Sequence, residues 1–179
     1  KWRRMVALDS YKFIAIDFET ANNDRHSACQ VGLVAFKKDQ IVDECKFEIR
    51  PTSDYFLHTR IHGITWSSVR NEATFGELWP DVSKFIEQAD FFVAHNASFD
   101  KSVMKVCCGY YGLTMPDAPW ICTFRDVARR LWPDLENYQL QTVCQYLDID
   151  LVHHDGLSDA RACAKIVLAA YEEDCKWLK

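Results

Sequence analysis

Three short segments of the 179-residue chain carry side chains that could do chemistry together. The first is Asp17-Phe-Glu19-Thr20, which closes the apolar run Lys12-Phe-Ile-Ala-Ile. Residues two apart on a strand share a face, so Asp17 and Glu19 point the same way while Phe18 turns to the opposite, packed side. Two carboxylates on one face repel and resist joint ionisation unless a cation lies between them. Alone, such a pair also suits a solvated strand end. Its place at the terminus of the most apolar strand is where sheets hold their ligand sites.

The second segment is Val93-Ala-His-Asn-Ala-Ser-Phe-Asp100, an apolar strand running into a helix N-terminus. There Asp100 favours the helix dipole without any chemistry, while His95-Asn96 sits where backbone donors and short polar side chains meet a ligand. The third, His153-His154-Asp155-Gly-Leu-Ser-Asp159, precedes an apolar helix expected to open at about Ser158. That start places Asp159 in the first turn and His154 in the glycine-containing turn before it. A doubled histidine is equally the composition of a surface loop or an adventitious metal site. Asp17, Glu19, Asp100 and Asp159 supply four carboxylates, and His154 a histidine, at the edges of buried elements. Hard oxygen ligands without cysteine point to magnesium or manganese rather than zinc.

The elements that must position these residues follow from hydrophobic period. Three strands are expected, at 12–18, 29–36 and 41–49, the last two joined by a polar turn at 37–40, which makes an antiparallel meander. From residue 65 helices alternate with short strands. Thr74 and Glu77 have capping-box spacing at the head of a helix that Pro80 should kink or restart. Phe91-Phe-Val-Ala reads as a buried strand, and a helix opening at Ser98 carries Val103, Val106, Cys107 and Tyr110 at helical spacing until Gly112. Trp120-Ile-Cys is a further strand, Thr123-Phe-Arg-Asp126 a second capping-box-like start, and residues 139–146 a further helix. The sum is an α/β fold with a mixed sheet flanked by helices.

Composition sets the outer bounds. A chain of this length with 49% hydrophobic and 26% charged residues fits one domain with a sizeable core, and excludes disordered or collagen-like classes. Apolar runs such as Ile166-Val-Leu-Ala-Ala fall far short of the roughly 20 residues that span a bilayer. Residues 1–10 read as an N-terminal extension without a signal peptide, with Met5 a candidate natural start. Eight cysteines without a Cys-x-x-Cys pair, most among apolar neighbours, read as reduced core thiols of a cytoplasmic protein. A net charge of -5 argues against a protein that coats nucleic acid, but leaves room for an enzyme that grips a few nucleotides through metal ions.

Asp17-x-Glu19, His95-Asn96-x-x-Phe99-Asp100 and His154-x-x-x-x-Asp159, in that order, resemble the three exonuclease motifs of the DEDDh family. The likeness is nearest to the DNA polymerase III epsilon-subunit-like (DnaQ-like) exonucleases and runs from about Tyr11 to Tyr171. Ile61-His-Gly-Ile64 also resembles a substrate-contacting segment of that family. The resemblance implies a ribonuclease H-like fold over residues 11–179 and a metal-dependent 3′-to-5′ exonuclease. Its substrate would be nucleic acid with a free 3′ end, single-stranded DNA foremost, and its product nucleoside 5′-monophosphate. It assigns Asp17, Glu19 and Asp159 to two magnesium or manganese ions, and Asp100 to a metal-bound water or a supporting role. His154 becomes the general base, while Thr20, His62, Asn96 and Phe99 hold the terminal nucleotide. Phe99 fits an ordinary core position as well as a base-stacking one. DNA polymerase or other replication and repair proteins are the implied partners. Two other readings stay open: an exoribonuclease acting on RNA or short oligonucleotides, and a non-catalytic module that recruits replication proteins.

Overall fold

The computed structural model describes residues 11–37 and 40–173. The expected extension at 1–10, the centre of the 37–40 turn, and Cys175 lie outside the described residues.

Strand β1 (Phe13–Thr20) is the axis of the molecule. It pairs antiparallel with β2 (Ala28–Lys37), which pairs antiparallel with β3 (Gln40–Glu48). On its other side β1 pairs parallel with β4 (Phe91–Ala94), and β4 with β5 (Trp120–Cys122), giving the order β3-β2-β1-β4-β5. The meander followed by parallel strands is the mixed sheet expected from the sequence.

The alternation along β1 divides the molecule into layers. Ile14, Ile16 and Phe18 face α3 (Phe75–Ile86) and α4 (Ala97–Tyr110) in one core with Val82, Ile86, Val103, Met104 and Cys107. Phe13 and Ala15 face the opposite core, built with Cys163, Ile166 and Val167 of α7 (Gly156–Glu173) and Val143 of α6 (Leu140–Tyr146). Asp17 and Glu19 continue that second face beyond its apolar part. The short helices α1 (Thr59–His62) and α2 (Trp66–Val69) pack at the end of β1 around Ala21 and Cys29.

Several local expectations are corrected. Helix α3 passes through Pro80 without restarting, and its Thr74–Glu77 capping box forms as expected. Helix α4 opens at Ala97 behind Asn96, whose positive φ of 61° makes the sharp change from strand to helix. Its buried side is Val103, Met104, Cys107 and Cys108, whereas Val106 and Tyr110 are exposed. After β5 the chain forms a π-helical turn, Thr123–Ala128, that continues into α5 (Arg129–Leu131). Its cap is Cys122 rather than Thr123: the Cys122 sulfur accepts from the Arg125 amide, and Asp126 accepts from the Cys122 amide at 3.0 Å. Helix α7 begins two residues before Ser158, because Asp155 Oδ1 accepts from the Ser158 amide at 3.0 Å. Cys29, Cys107, Cys108, Cys122, Cys144 and Cys163 are buried free thiols, as a reduced core requires. No helix among the described residues is long and apolar enough to cross a membrane.

Candidate active site

Close approach of backbone brings the site together. A Cβ on Gly32 would lie 2.1 Å from the Gly156 carbonyl oxygen, so only glycine lets the N-terminus of α7 press on β2. Gln30 Oε1 fastens the contact by accepting from the Gly156 amide at 2.7 Å. This lowers Asp159, in the first turn of α7, onto the face of β1 that carries Asp17 and Glu19. One ligand atom from each of these three carboxylates lies within 4.8 Å of the others. Asp100, in the first turn of α4, reaches the same place from the other layer, and its Oδ1 accepts from the Phe18 amide at 2.9 Å.

The four carboxylates are held away from water and against one another. Burial, then the charges of Asp100, Asp159 and Glu19, push Asp17 well above the ordinary carboxylate range. Burial followed by Asp159 and Asp100 raises Glu19 to about 8. Burial raises Asp100 to about 7, against the opposing hydrogen bond from Phe18, and raises Asp159 to about 6, against that from His154. Asp159 Oδ1 is buried without a hydrogen-bond partner. Like charges brought this close, with an unsatisfied oxygen among them, form a set that a divalent cation would complete. They floor a cavity of about 630 Å³ whose walls include His95, Asn96, Phe99, Phe124, Gln139, His153 and His154.

Residues 14–167 match the RNase T family, described as exonuclease. The chain belongs to the exonuclease family. A DNA polymerase III PolC-type of Caldanaerobacter subterraneus subsp. tengcongensis is 30% identical over 167 residues, 90% of this chain and 12% of that protein. This chain therefore corresponds to a small part of that relative. Exonuclease X, solved in complex with 5′ overhanging duplex DNA, matches with 25% identity and a TM-score of 0.72, over 90% of this chain and 92% of that one. The nuclease domain of 3′hExo, a DEDDh family member solved bound to rAMP, matches with 18% identity and a TM-score of 0.79, over 93% and 95%. The ribonuclease H-like fold and the exonuclease family expected from the sequence both hold.

In this exonuclease domain seven of the nine residues singled out from sequence line one cavity: Asp17, Glu19, Asn96, Phe99, Asp100, His154 and Asp159. Thr20 and His62 do not line it. His62 Nε2 donates to the Thr20 backbone carbonyl at 3.1 Å and His62 Nδ1 accepts from the Ile64 amide at 3.0 Å, while Thr20 Oγ1 lies 3.4 Å from His58 Nδ1. Phe99 is half-buried, with the Arg25 guanidinium 4.4 Å over its ring centroid. His95 faces the cavity with both ring nitrogens in use, Nε2 donating to the Tyr138 carbonyl at 2.8 Å and Nδ1 accepting from Thr123 Oγ1 at 2.9 Å. Burial holds its pKa down to about 4, so it stays neutral and ties β4 to the segment after β5.

The two histidines of the last motif take different positions. The His154 amide donates to Asp159 Oδ2 at 3.2 Å, and His154 adopts a positive φ of 67°. His153 Nδ1 lies 3.2 Å from the same oxygen. Burial, then the neighbouring His153, pushes the pKa of His154 below its ordinary value. Sequence reasoning missed Phe124 and Gln139 in the cavity wall. Phe124 arrives on the π-helical turn, for which periodicity carries no signal.

Proposed function

We propose that this domain, taken as residues 11–179, is a metal-dependent 3′-to-5′ exonuclease that releases nucleoside 5′-monophosphates, with single-stranded DNA as its foremost substrate. The observation that carries the reading is the set of Asp17, Glu19 and Asp159 at the bottom of one cavity, mutually destabilised and with Asp159 Oδ1 unpartnered. These three carboxylates would hold two magnesium or manganese ions. Such ions supply charge neutralisation at the scissile phosphate, acidify a water and stabilise the leaving 3′-oxygen.

The chain's own residues do the rest. His154, neutral at pH 7 because burial lowers its pKa, takes the proton from the attacking water. Asp100 locks the head of α4 to β1 through the Phe18 amide and adds negative charge beside the ions. Phe99 offers its ring to the terminal base and Asn96 its exposed amide to the sugar or phosphate. The likeness to a PolC-type polymerase supports a setting beside replication or repair proteins in a reducing cytoplasm.

The test is a digestion of 5′-labelled single-stranded DNA, matched RNA and a 3′-recessed duplex, with magnesium or manganese and with chelator. The expected result is a ladder shortened one nucleotide at a time and free mononucleotide, fastest on single-stranded DNA and stopped by chelator. Internal cuts, or no metal-dependent mononucleotide, would overturn the reading.

A further inference from the structure

His153 lies outside the motif that the function uses, yet it is fixed against it. Its imidazole stacks on that of His154 with ring centroids 3.8 Å apart and planes at 24°. Its Nδ1 lies 3.2 Å from Asp159 Oδ2, and one ligand atom from each of His153, His154 and Asp159 falls within 4.8 Å of the others. Two ligands on a tetrahedral ion with bonds of about 2.0–2.1 Å stand about 3.3 Å apart, which is the separation found between His153 and Asp159. The neighbouring Asp155 is occupied by Lys46, whose Nζ is 2.7 Å away, and is not a competing ligand.

We propose that His153, His154 and Asp159 form a second metal site, selective for zinc, that shuts the exonuclease down when filled. The donor chemistry separates the two sites. Asp17 and Glu19 offer only oxygen, which suits magnesium and manganese, whereas two imidazoles and one carboxylate suit zinc and leave a fourth position for water. The side chain of His153 is 37% exposed, so an ion reaches it without opening the fold. Asp159 belongs to both sets, and His154 cannot serve as a base while its ring holds an ion. Zinc therefore withdraws two groups from the reaction while magnesium remains in excess. The inhibition rests on the proposed exonuclease reading, and the binding does not.

The experiment compares wild type with His153→Gln, a change at an exposed position. Zinc is titrated calorimetrically into metal-free protein, and cobalt is used as a visible-absorption probe of a tetrahedral nitrogen-containing site. Magnesium-supported nuclease activity is then measured against rising zinc. Wild type should bind one zinc at this site, show the cobalt bands and be inhibited. His153→Gln should bind at least about tenfold more weakly, lose the bands, and need a correspondingly higher zinc concentration for inhibition, with its zinc-free rate within about twofold of wild type. Equal zinc affinity and equal inhibition in both proteins would overturn the proposal, as would stimulation by zinc. Zinc binding that depends on His153 in a protein without magnesium-dependent nuclease activity would reject the exonuclease reading and keep the site.

Discussion

Two polar clusters lie on either side of the bulge between Glu19 and Thr20 in β1, and they are built in opposite ways. Beyond the bulge, the Thr20 carbonyl accepts from His62 Nε2 and lies 3.0 Å from His58 Nδ1, and the second nitrogen of His62 is used by Ile64. Before it, Asp17 and Glu19 meet Asp159 and Asp100 with charges of one sign, raised pKa values and a buried oxygen without a partner. The first cluster is satisfied and holds the strand end in place. The second is stable only because the surrounding core holds it together, and it is complete only with a ligand that the protein itself does not supply.

The sharpest way to break the comparison is to remove one side chain from each cluster. Asp17→Ala should lower exonuclease activity about a thousandfold or more, since several kcal/mol of charge stabilisation at about 1.4 kcal/mol per decade is lost. In chelator it should melt no lower than wild type, because a carboxyl whose ionisation burial and its acidic neighbours disfavour is removed. A melting temperature well below wild type would make Asp17 a structural residue. Next in size, His154→Ala should reduce kcat about a hundredfold and abolish the acidic limb of the pH-rate profile, with manganese still bound. His153→Ala should change both far less, and an acidic limb that follows His153 instead would reverse the two assignments.

The charge stress should also be readable as stability. Unfolded carboxylates titrate near about 4, while the folded protein holds Asp100 at about 7 and Glu19 at about 8. Between those limits the native state binds more protons than the unfolded state, so stability falls as pH rises. The lowered histidine pKa values act in the opposite direction, but only below about 6.5. From pH 6.5 to 8 in chelator, therefore, the melting temperature should drop, and Glu19→Gln should flatten the drop. A rise over this window would mean that the carboxylates are already ionised. The smallest effect belongs to the satisfied cluster. His62→Ala should cost about 1–3 kcal/mol of stability by stranding the Ile64 amide and taking one of two partners from the Thr20 carbonyl. A large rise in KM with unchanged stability would instead bring His62 into contact with substrate.

Much of this was legible in the chain. Period-2 and period-3.6 patterns located the strands and most helices, and strand parity correctly placed Asp17 and Glu19 together with Phe18 opposed. What periodicity cannot convey is contact between distant backbones. Gly32 and Gly156 are 124 residues apart by number, and nothing local marks them as the pair that lets Asp159 descend onto β1. The π-helical turn that carries Phe124 and the cap supplied by Cys122 escaped for a related reason, since both depend on how β5 ends inside the fold. Thr20 and His62 show the converse. Their residue types fit a ligand site, but only the structure reveals that His62 is spent on the Thr20 carbonyl and the Ile64 amide, while Thr20 Oγ1 lies 3.4 Å from His58 Nδ1.

The central claim is that these carboxylates hold protons until a cation replaces them, and proton release on metal binding tests it most directly. Manganese would be titrated calorimetrically into the metal-free protein at pH 7 in two buffers of different ionisation enthalpy. With Glu19 held at about 8 and Asp17 pushed up by burial, binding should release about one proton per protein, and Asp17→Asn should bind manganese much more weakly. Heats that do not depend on the buffer, together with equal affinity in the variant, would contradict the account.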